Sequence, residues 1–274
     1  MIDLHTHSTA SDGSCPPRRL VALAVEARLS AIALTDHDTL AGIEEASLCG
    51  QSAGIRIIPG VEIEIASDNG EFHLLGLALG GERSSLETAL AAVREHRRGR
   101  NARMVAKFQR AGFPVTLGEL GGIAGGEIVS RAHFAQLLVE KGIVGSIEAA
   151  FSGYIGKGRE FYEPKACLGL SEAVSLIAQA GGAAVIAHPV SLGIRGAALR
   201  RLLRDCRDLG VSGIEAWHPN HTLKETAGFA RMARALGMII TGGSDFHGEH
   251  MPHRRLGFTS GGRAIPDSLL DSLP

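Results

Sequence analysis

The stretch AAVIAHPVSLGIRGAALRRLLRDCRDLGVSGIEAWH, residues 183–218, decides the fold. Its first five residues are a continuous apolar run closed by His188, too short for a buried helix and suited to a strand covered on both faces. Residues 196–209 then interleave leucines with arginines and aspartates at helical spacing, and GIEAWH (213–218) is a second short apolar run. Strand, helix and strand of this length form the unit from which parallel sheets are built. The same rhythm extends outward on both sides. A helix over 171–181 comes before, and a helix over 222–236 with the strand MIITGGSD (238–245) comes after. At the start of the chain, residues 2–5 read as a strand and PPRRLVALAVEARL (16–29) as a helix opened by proline. AIALTD (31–36) reads as a buried strand and 40–53 as a helix. RIIPGVEIEIA (56–66) and EFHLLGLAL (71–79) are strand-like and flank SDNG, a strong turn signal. The pattern predicts an α/β fold with a largely parallel sheet.

Residues from about 84 to 165 break the rhythm. They read as helices with glycine-rich joints (GELGGIAGGE, GYIGKGRE), a helical insertion within one domain spanning 1–274. The run REHRRGRNAR (94–103) is either a solvated helix face or a substrate contact.

With 45% hydrophobic and 21% charged residues, the chain can bury a sizeable core. Its net charge of −1 excludes a broad basic surface for nucleic acid, so any such substrate must be gripped locally. No apolar run reaches membrane-spanning length, and MIDLHTHS lacks the basic and apolar blocks of a signal peptide. Cys15, Cys49, Cys167 and Cys206 form no C-x-x-C pair. Together these features predict a cytoplasmic protein with reduced, structural cysteines and no obligate protein partner.

Twelve histidines are many for this length, and their placement is informative. His5 and His7 follow the first strand, where alternate residues point the same way. Asp12 lies in the next turn; Asp36, His37 and Asp38 close the second strand; Glu62 sits in the third, and His73 follows the turn. His188 ends AAVIAH, and Asp245 and His247 close the last strand in GSDFHG. Most lie at strand C-terminal ends, the face that hosts active sites in parallel α/β folds. Imidazole and carboxylate suit zinc, manganese and iron, and without cysteine ligands the site reads as catalytic rather than structural. Each piece has a plainer reading. Glu62 alternates with isoleucines and suits a strand surface, His188 suits a core histidine, and Asp245 suits a turn or helix cap. The number of such residues at recurring topological positions favours metal.

DLHTHSTASDGS, ALTDHDT, GVEI, IAHP and GGSDFHG resemble, in order and over the whole chain, the motifs of the PHP (polymerase and histidinol phosphatase) superfamily. The resemblance implies a distorted (β/α)7 barrel holding two or three divalent ions, manganese foremost, with iron and zinc as alternatives. It assigns His5, His7, Glu62 and Asp245 to a first ion. Glu62 is shared with a second, completed by His73 and His188, and Asp12, His37 and His247 hold a third. SDGSCPP, SRAHFA (130–135) and EAWHPNH (215–221) are similar to stand-alone members that remove the 3′-phosphate of nucleoside 3′,5′-bisphosphates. Some of these also trim short RNA from its 5′ end.

Charge supports a phosphate independently. Three divalent ions bring roughly six positive charges, three carboxylates cancel half, and a bridging hydroxide removes about one more. The surplus of about two favours an anionic substrate, attacked by water whose pKa falls from 15.7 to roughly 7 on a metal. Arg131 suits a bidentate phosphate contact, and His133 and His218 suit phosphate binding or protonation of the leaving oxygen. The alternatives are a surface ion pair for Arg131 and a strand-end histidine bonded to Asn220 for His218. Histidinol-phosphate phosphatase is the competing activity. A non-catalytic metal module and an amidohydrolase-type carbon–nitrogen hydrolase are more distant; the latter typically adds a lysine ligand at a strand end, and no lysine lies at such an end here.

Overall fold

Strand-length apolar runs and amphipathic helices alternate along the chain because each buries its apolar side against the other. In the computed structural model, residues 1–67, 70–125 and 128–274 are described. Asp68 and Asn69 of the SDNG turn, and Gly126 and Glu127 of the first glycine-rich joint, lie outside them. The first half runs β1 (Ile2–Asp3), α1 (Pro17–Glu26), β2 (Ala31–Leu34), α2 (Ile43–Ala53), β3 (Arg56–Glu64) and β4 (His73–Leu77). Helices α3 (Ser84–Arg110), α4 (Leu117–Ala124), α5 (Arg131–Glu140) and α6 (Ile147–Ala150) follow, the last running into a π-turn over Phe151–Ile155. The chain then resumes with α7 (Leu170–Gln179), β5 (Ala183–Ile186), α8 (Gly196–Asp208), β6 (Gly213–Trp217), α9 (Leu223–Ala235) and β7 (Ile239–Gly242).

The seven strands lie side by side in sequence order. All neighbouring pairs are parallel except β3–β4 and β4–β5, so β4 alone is inverted. The inversion has a functional consequence. It brings the first residue of β4, His73, to the same mouth as the C-terminal ends of the other strands. Backbone bonds close the ring: Leu4 N–H donates to Gly242 O (3.1 Å) and Asp245 N–H to His5 O (2.8 Å). The buried Asp3 carboxylate adds a staple, accepting from Ser244 N (2.9 Å), Ser244 Oγ (2.6 Å) and Gly257 N (2.8 Å). The result is a nearly closed seven-stranded barrel.

The helices pack as their spacing requires. In α8, Leu199, Leu203 and Cys206 are buried at intervals of four and three while the arginines face outward. Full burial of each leucine contributes about 1.5–3 kcal/mol. α9 starts on a reciprocal cap between Thr222 and Glu225, which satisfies two otherwise unpaired backbone donors.

The helices between β4 and α7 bury a core of their own, centred on Phe108, Phe134 and Phe161 with Met104, Leu120 and Leu138. Phe108 and Phe161 stack at 4.1 Å between centroids. α3 serves both cores: Leu86, Leu90 and Val93 pack with the barrel, while Met104, Val105 and Phe108 pack with the helices. Its 27 residues make a strut about 40 Å long.

Candidate metal centre

The barrel mouth gathers side chains that the sequence scatters over nearly its whole length. His5 and His7 leave β1 on the same side, two residues apart. Their approach to the last strand needs Gly243, where a Cβ would lie 2.1 Å from the His5 Cβ. Gly13 serves the following loop in the same way, since a Cβ there would lie 2.4 Å from His7 O. That loop is shaped by buried Asp36, which accepts from Ser8 N (2.7 Å), Ser8 Oγ (2.7 Å) and Ser11 Oγ (2.6 Å) and so carries Asp12 into the mouth.

Glu62, buried on β3, is the hub. Its Oε2 lies 3.1 Å from His5 Nε2, 3.2 Å from His7 Nε2 and 3.2 Å from His37 Nδ1. Its Oε1 lies 2.8 Å from His73 Nδ1 and 2.9 Å from His188 Nε2. The two oxygens of one carboxylate thus serve two sets of imidazoles. Asp245 Oδ1 completes the first set, 3.2 Å from His7 Nε2 and 3.5 Å from His5 Nε2. Asp12 gathers a third: Oδ1 lies 3.4 Å from His247 Nε2 and 3.7 Å from His7 Nδ1, and Oδ2 lies 3.8 Å from His37 Nε2. The structure therefore brings all nine candidate ligands together.

These donors fit divalent cations. His5 Nε2 and His7 Nε2 stand only 3.1 Å apart and converge with two carboxylate oxygens, so several lone pairs aim at one point. A cation satisfies them together. His7 Nδ1 is buried with no hydrogen-bond partner among the described residues, facing the Asp12 group.

The electrostatics follow from the same crowding. Burial opposes charge on His7, but its bonds to Asp245 and Glu62 and the charges of Glu62 and Asp12 hold its pKa up, at about 10. Burial also resists ionisation of Glu62, yet His37, His5 and His73 keep it well below the usual carboxylate range. Burial pushes the His37 imidazole down to about 3 against the pull of Glu62 and Asp12.

Several residues that sequence reasoning did not single out hold the cluster in place. Glu215 is fully buried: Oε1 lies 3.0 Å from His5 Nδ1, and Oε2 accepts from His188 N (2.8 Å). It orients His5 as a carboxylate behind a metal-binding histidine does. A lone glutamate inside the apolar strand GIEAW was the available signal. Buried Arg254 donates from Nη1 to Asp245 Oδ2 (3.0 Å) and from Nη2 to Asn220 Oδ1 (3.1 Å). It comes from an irregular segment with no periodicity to flag it. Asp245 and His188 both adopt positive φ, 51° and 25°, a conformation costly for non-glycine residues and held here by these contacts.

The three candidate substrate residues occupy different environments. Arg131, first residue of α5, lines a cavity of about 160 Å³ that also contains Asp12, His37 and His73. Partly buried His133 takes the Ser130 N–H on Nδ1 (3.1 Å), which leaves its proton on Nε2. His218 is fully buried and accepts Asn220 N–H on Nδ1 (3.1 Å). Its Nε2 therefore carries the proton, 3.4 Å from Asp245 Oδ2. Arg131 and His218 are not lining residues of the same cavity.

The basic run at 94–103 is largely tied down. Arg94 donates to Asp38 O, Arg97 pairs with the Asp38 carboxylate, Arg100 bonds Asn101 and Val129 O, and Arg103 pairs with Glu163. Its main business is fastening α3 to its neighbours. Arg97 also reaches the cavity with His37.

Comparisons with known proteins identify the family. The PHP domain profile matches residues 3–99. A 5′–3′ exoribonuclease of Haemophilus influenzae is 35% identical over 245 residues, 89% of each chain. A 3′,5′-nucleoside bisphosphate phosphatase of Chromobacterium violaceum is 34% identical over 259 residues, 94% of this chain and 91% of the relative. Among solved structures, one classed as a metal-dependent phosphoesterase from Bifidobacterium adolescentis superposes with a TM-score of 0.82 at 27% identity. The match covers 98% of this chain and 94% of that one. No helix among the described residues is long and apolar enough to cross a membrane.

Proposed function

The chain belongs to the PHP domain family and is a metal-dependent phosphoesterase; on that premise we propose that it removes the 3′-phosphate of nucleoside 3′,5′-bisphosphates and trims short RNA from the 5′ end. The observation that carries the reading is Glu62, whose two oxygens divide the imidazoles into adjoining sets beside a cavity edged by Arg131. Such a divided carboxylate suits neighbouring cations, and neighbouring cations suit the spread negative charge of a phosphoryl group.

His5, His7, Glu62 and Asp245 would hold one ion, Glu62, His73 and His188 a second, and Asp12, His37 and His247 a third. Manganese is the first choice, with iron and zinc as alternatives. When bound, the ions supply an acidified water and neutralise charge on the phosphate. The chain's own groups do the rest. Arg131 holds the phosphate in its planar fork. Burial keeps the His133 imidazole below its ordinary pKa, so at neutral pH it is uncharged and its Nε2–H serves as a hydrogen-bond donor to a phosphate oxygen, while the leaving oxygen takes its proton from water. His218 spends its proton on Asp245 and orients that ligand.

The test is release of inorganic phosphate from adenosine 3′,5′-bisphosphate in the presence of Mn²⁺, with histidinol phosphate in parallel. We expect turnover of the nucleotide that is lost in His188→Ala. Preference for histidinol phosphate, with rescue of a histidine auxotroph, would move the assignment to that amino-alcohol ester.

A further inference from the structure

Among the described residues, Asp245 is the one carboxylate of the cluster that an arginine also holds. Both oxygens of Glu62 and both of Asp12 face ligand imidazoles. Asp245 is divided differently. Its approaches to His5, His7 and His247 all run through Oδ1, at 3.5, 3.2 and 3.5 Å. Oδ2 accepts from Arg254 Nη1 at 3.0 Å and faces the His218 Nε2–H at 3.4 Å. The guanidinium is fixed on its other sides. Nη1 also donates to Ser244 O (3.1 Å) and Nη2 to Asn220 Oδ1 (3.1 Å), while the Asn220 N–H donates to His218 Nδ1 (3.1 Å). One buried side chain thereby ties the loop after β6 to the loop after β7. Stability alone does not account for it, because a buried ion pair regains little more than its own desolvation costs. What the pair does is occupy an oxygen. A carboxylate can give an ion one oxygen or chelate it with both. Chelation suits larger ions such as calcium, with roughly six to eight ligands, whereas zinc takes roughly four. With Arg254 on Oδ2, Asp245 has one oxygen to give, and the place that chelation would fill stays open for water.

We propose that Arg254 is a positioning residue that keeps Asp245 a one-oxygen ligand and so fits the first ion's subsite to smaller divalent ions over larger ones. The inference rests on the metal-binding reading of the cluster and is independent of the substrate. Arg254 acts on a bound ion in two ways. Its charge repels every divalent ion alike, which lowers affinity without discriminating. Its hold on Oδ2 discriminates by size, because only an ion large enough to be chelated gains when that oxygen is released. A comparison between two ions of equal charge cancels the first effect and keeps the second.

Zinc and cadmium form that comparison: both are closed-shell dications, and cadmium is the larger. The full-length apoprotein is dialysed against equal concentrations of the two, and bound metal is counted by elemental analysis. Arg254→Met should lower the zinc-to-cadmium preference of a single ion per chain by about tenfold, the lower end of what losing a group behind a metal ligand costs. The other ions should keep their preference, because Asp245 serves one subsite. Asn220→Ala leaves the charge in place and removes the guanidinium's second anchor, so it should shift the preference the same way by a smaller factor. Where Arg254→Met does not fold, Asn220→Ala decides alone. Arg255→Gln is the control, an exposed neighbour whose guanidinium lies over the Phe258 ring, 3.6 Å from its centroid. An unchanged preference, an equal shift at every ion, or the same shift in Arg255→Gln would overturn the proposal while leaving the metal centre standing. Uptake of neither ion by the unaltered chain would overturn the metal-binding reading, and the proposal with it.

Discussion

The barrel mouth and the helical region beside it are built by opposite means. At the mouth, imidazoles and carboxylates are buried at close range, on strand ends and loops pinned by Asp3, Asp36 and Glu215. The helices are held by stacked rings, Phe108 on Phe161 with Phe134 and Tyr154 nearby, and by salt bridges on their outer faces. Apolar stacking is self-sufficient: it stabilises without any further component. The mouth is not, because buried charge costs free energy unless partners meet it. The barrel's rigid backbone keeps those groups together, ready for cations that satisfy them.

The contrast can be broken first at its hub. Glu62→Gln takes away the charge shared by five imidazoles and should lower kcat/KM by roughly 10³-fold or more, with loss of bound metal by elemental analysis. Far-UV circular dichroism should stay near that of the unaltered chain. The other side is broken by Phe108→Ala, which should cost about 3–5 kcal/mol in chemical denaturation. Because α3 runs through both cores, metal content separates the two regions. Retention of metal below the transition would show that the aromatic core is not what assembles the mouth. Glu215→Gln should weaken metal affinity by about 10- to 100-fold, since His5 loses the carboxylate that orients it.

A pH titration sharpens the comparison further. In the metal-free protein the His7 pKa is raised to about 10 from 6.5. A raised pKa means that the proton stabilises the fold fully below pH 6.5, and that this contribution is lost as pH climbs toward 10. A cation competes for the same nitrogens, so metal affinity should rise over that interval while the apoprotein loses stability, as parallel calorimetric and thermal melts can show. The smallest effect is at the surface. Arg98→Gln breaks the exposed pair with Glu95 and should shift stability by less than about 1 kcal/mol.

The periodicities of the sequence, 2 for strands and 3.6 for helices, are local properties and therefore survive in one dimension. They placed every strand of the barrel to within a few residues, and they put His5, His37, His188 and Asp245 near strand ends, which chain topology gathers at one mouth. Glu62 stood out as a carboxylate within a strand and part of the GVEI motif, although its alternation with Ile63 and Ile65 equally suited a strand surface. Glu215 carries the same signal in GIEAW and was passed over. Arg254 has no such signal: its partners Asp245, Asn220 and Ser244 lie 9 to 34 residues away, brought close only by the loop after β7.

The sequence by itself determined that an α/β fold with a largely parallel sheet would form and that metal-binding residue types would collect near its strand ends, because hydrophobic period is written residue by residue; the barrel was implied by the family resemblance. Only the tertiary structure decided how those residues divide. That β4 is inverted, that Glu62 turns one oxygen to each set, and that α3 is shared by two cores all depend on contacts between segments distant in the chain. So does the pairing of the basic run: Arg97 and Arg103 found carboxylates, whereas among the described residues Arg131 did not. That difference in partners is invisible in the order of residues, because each pair joins segments that only the fold brings together.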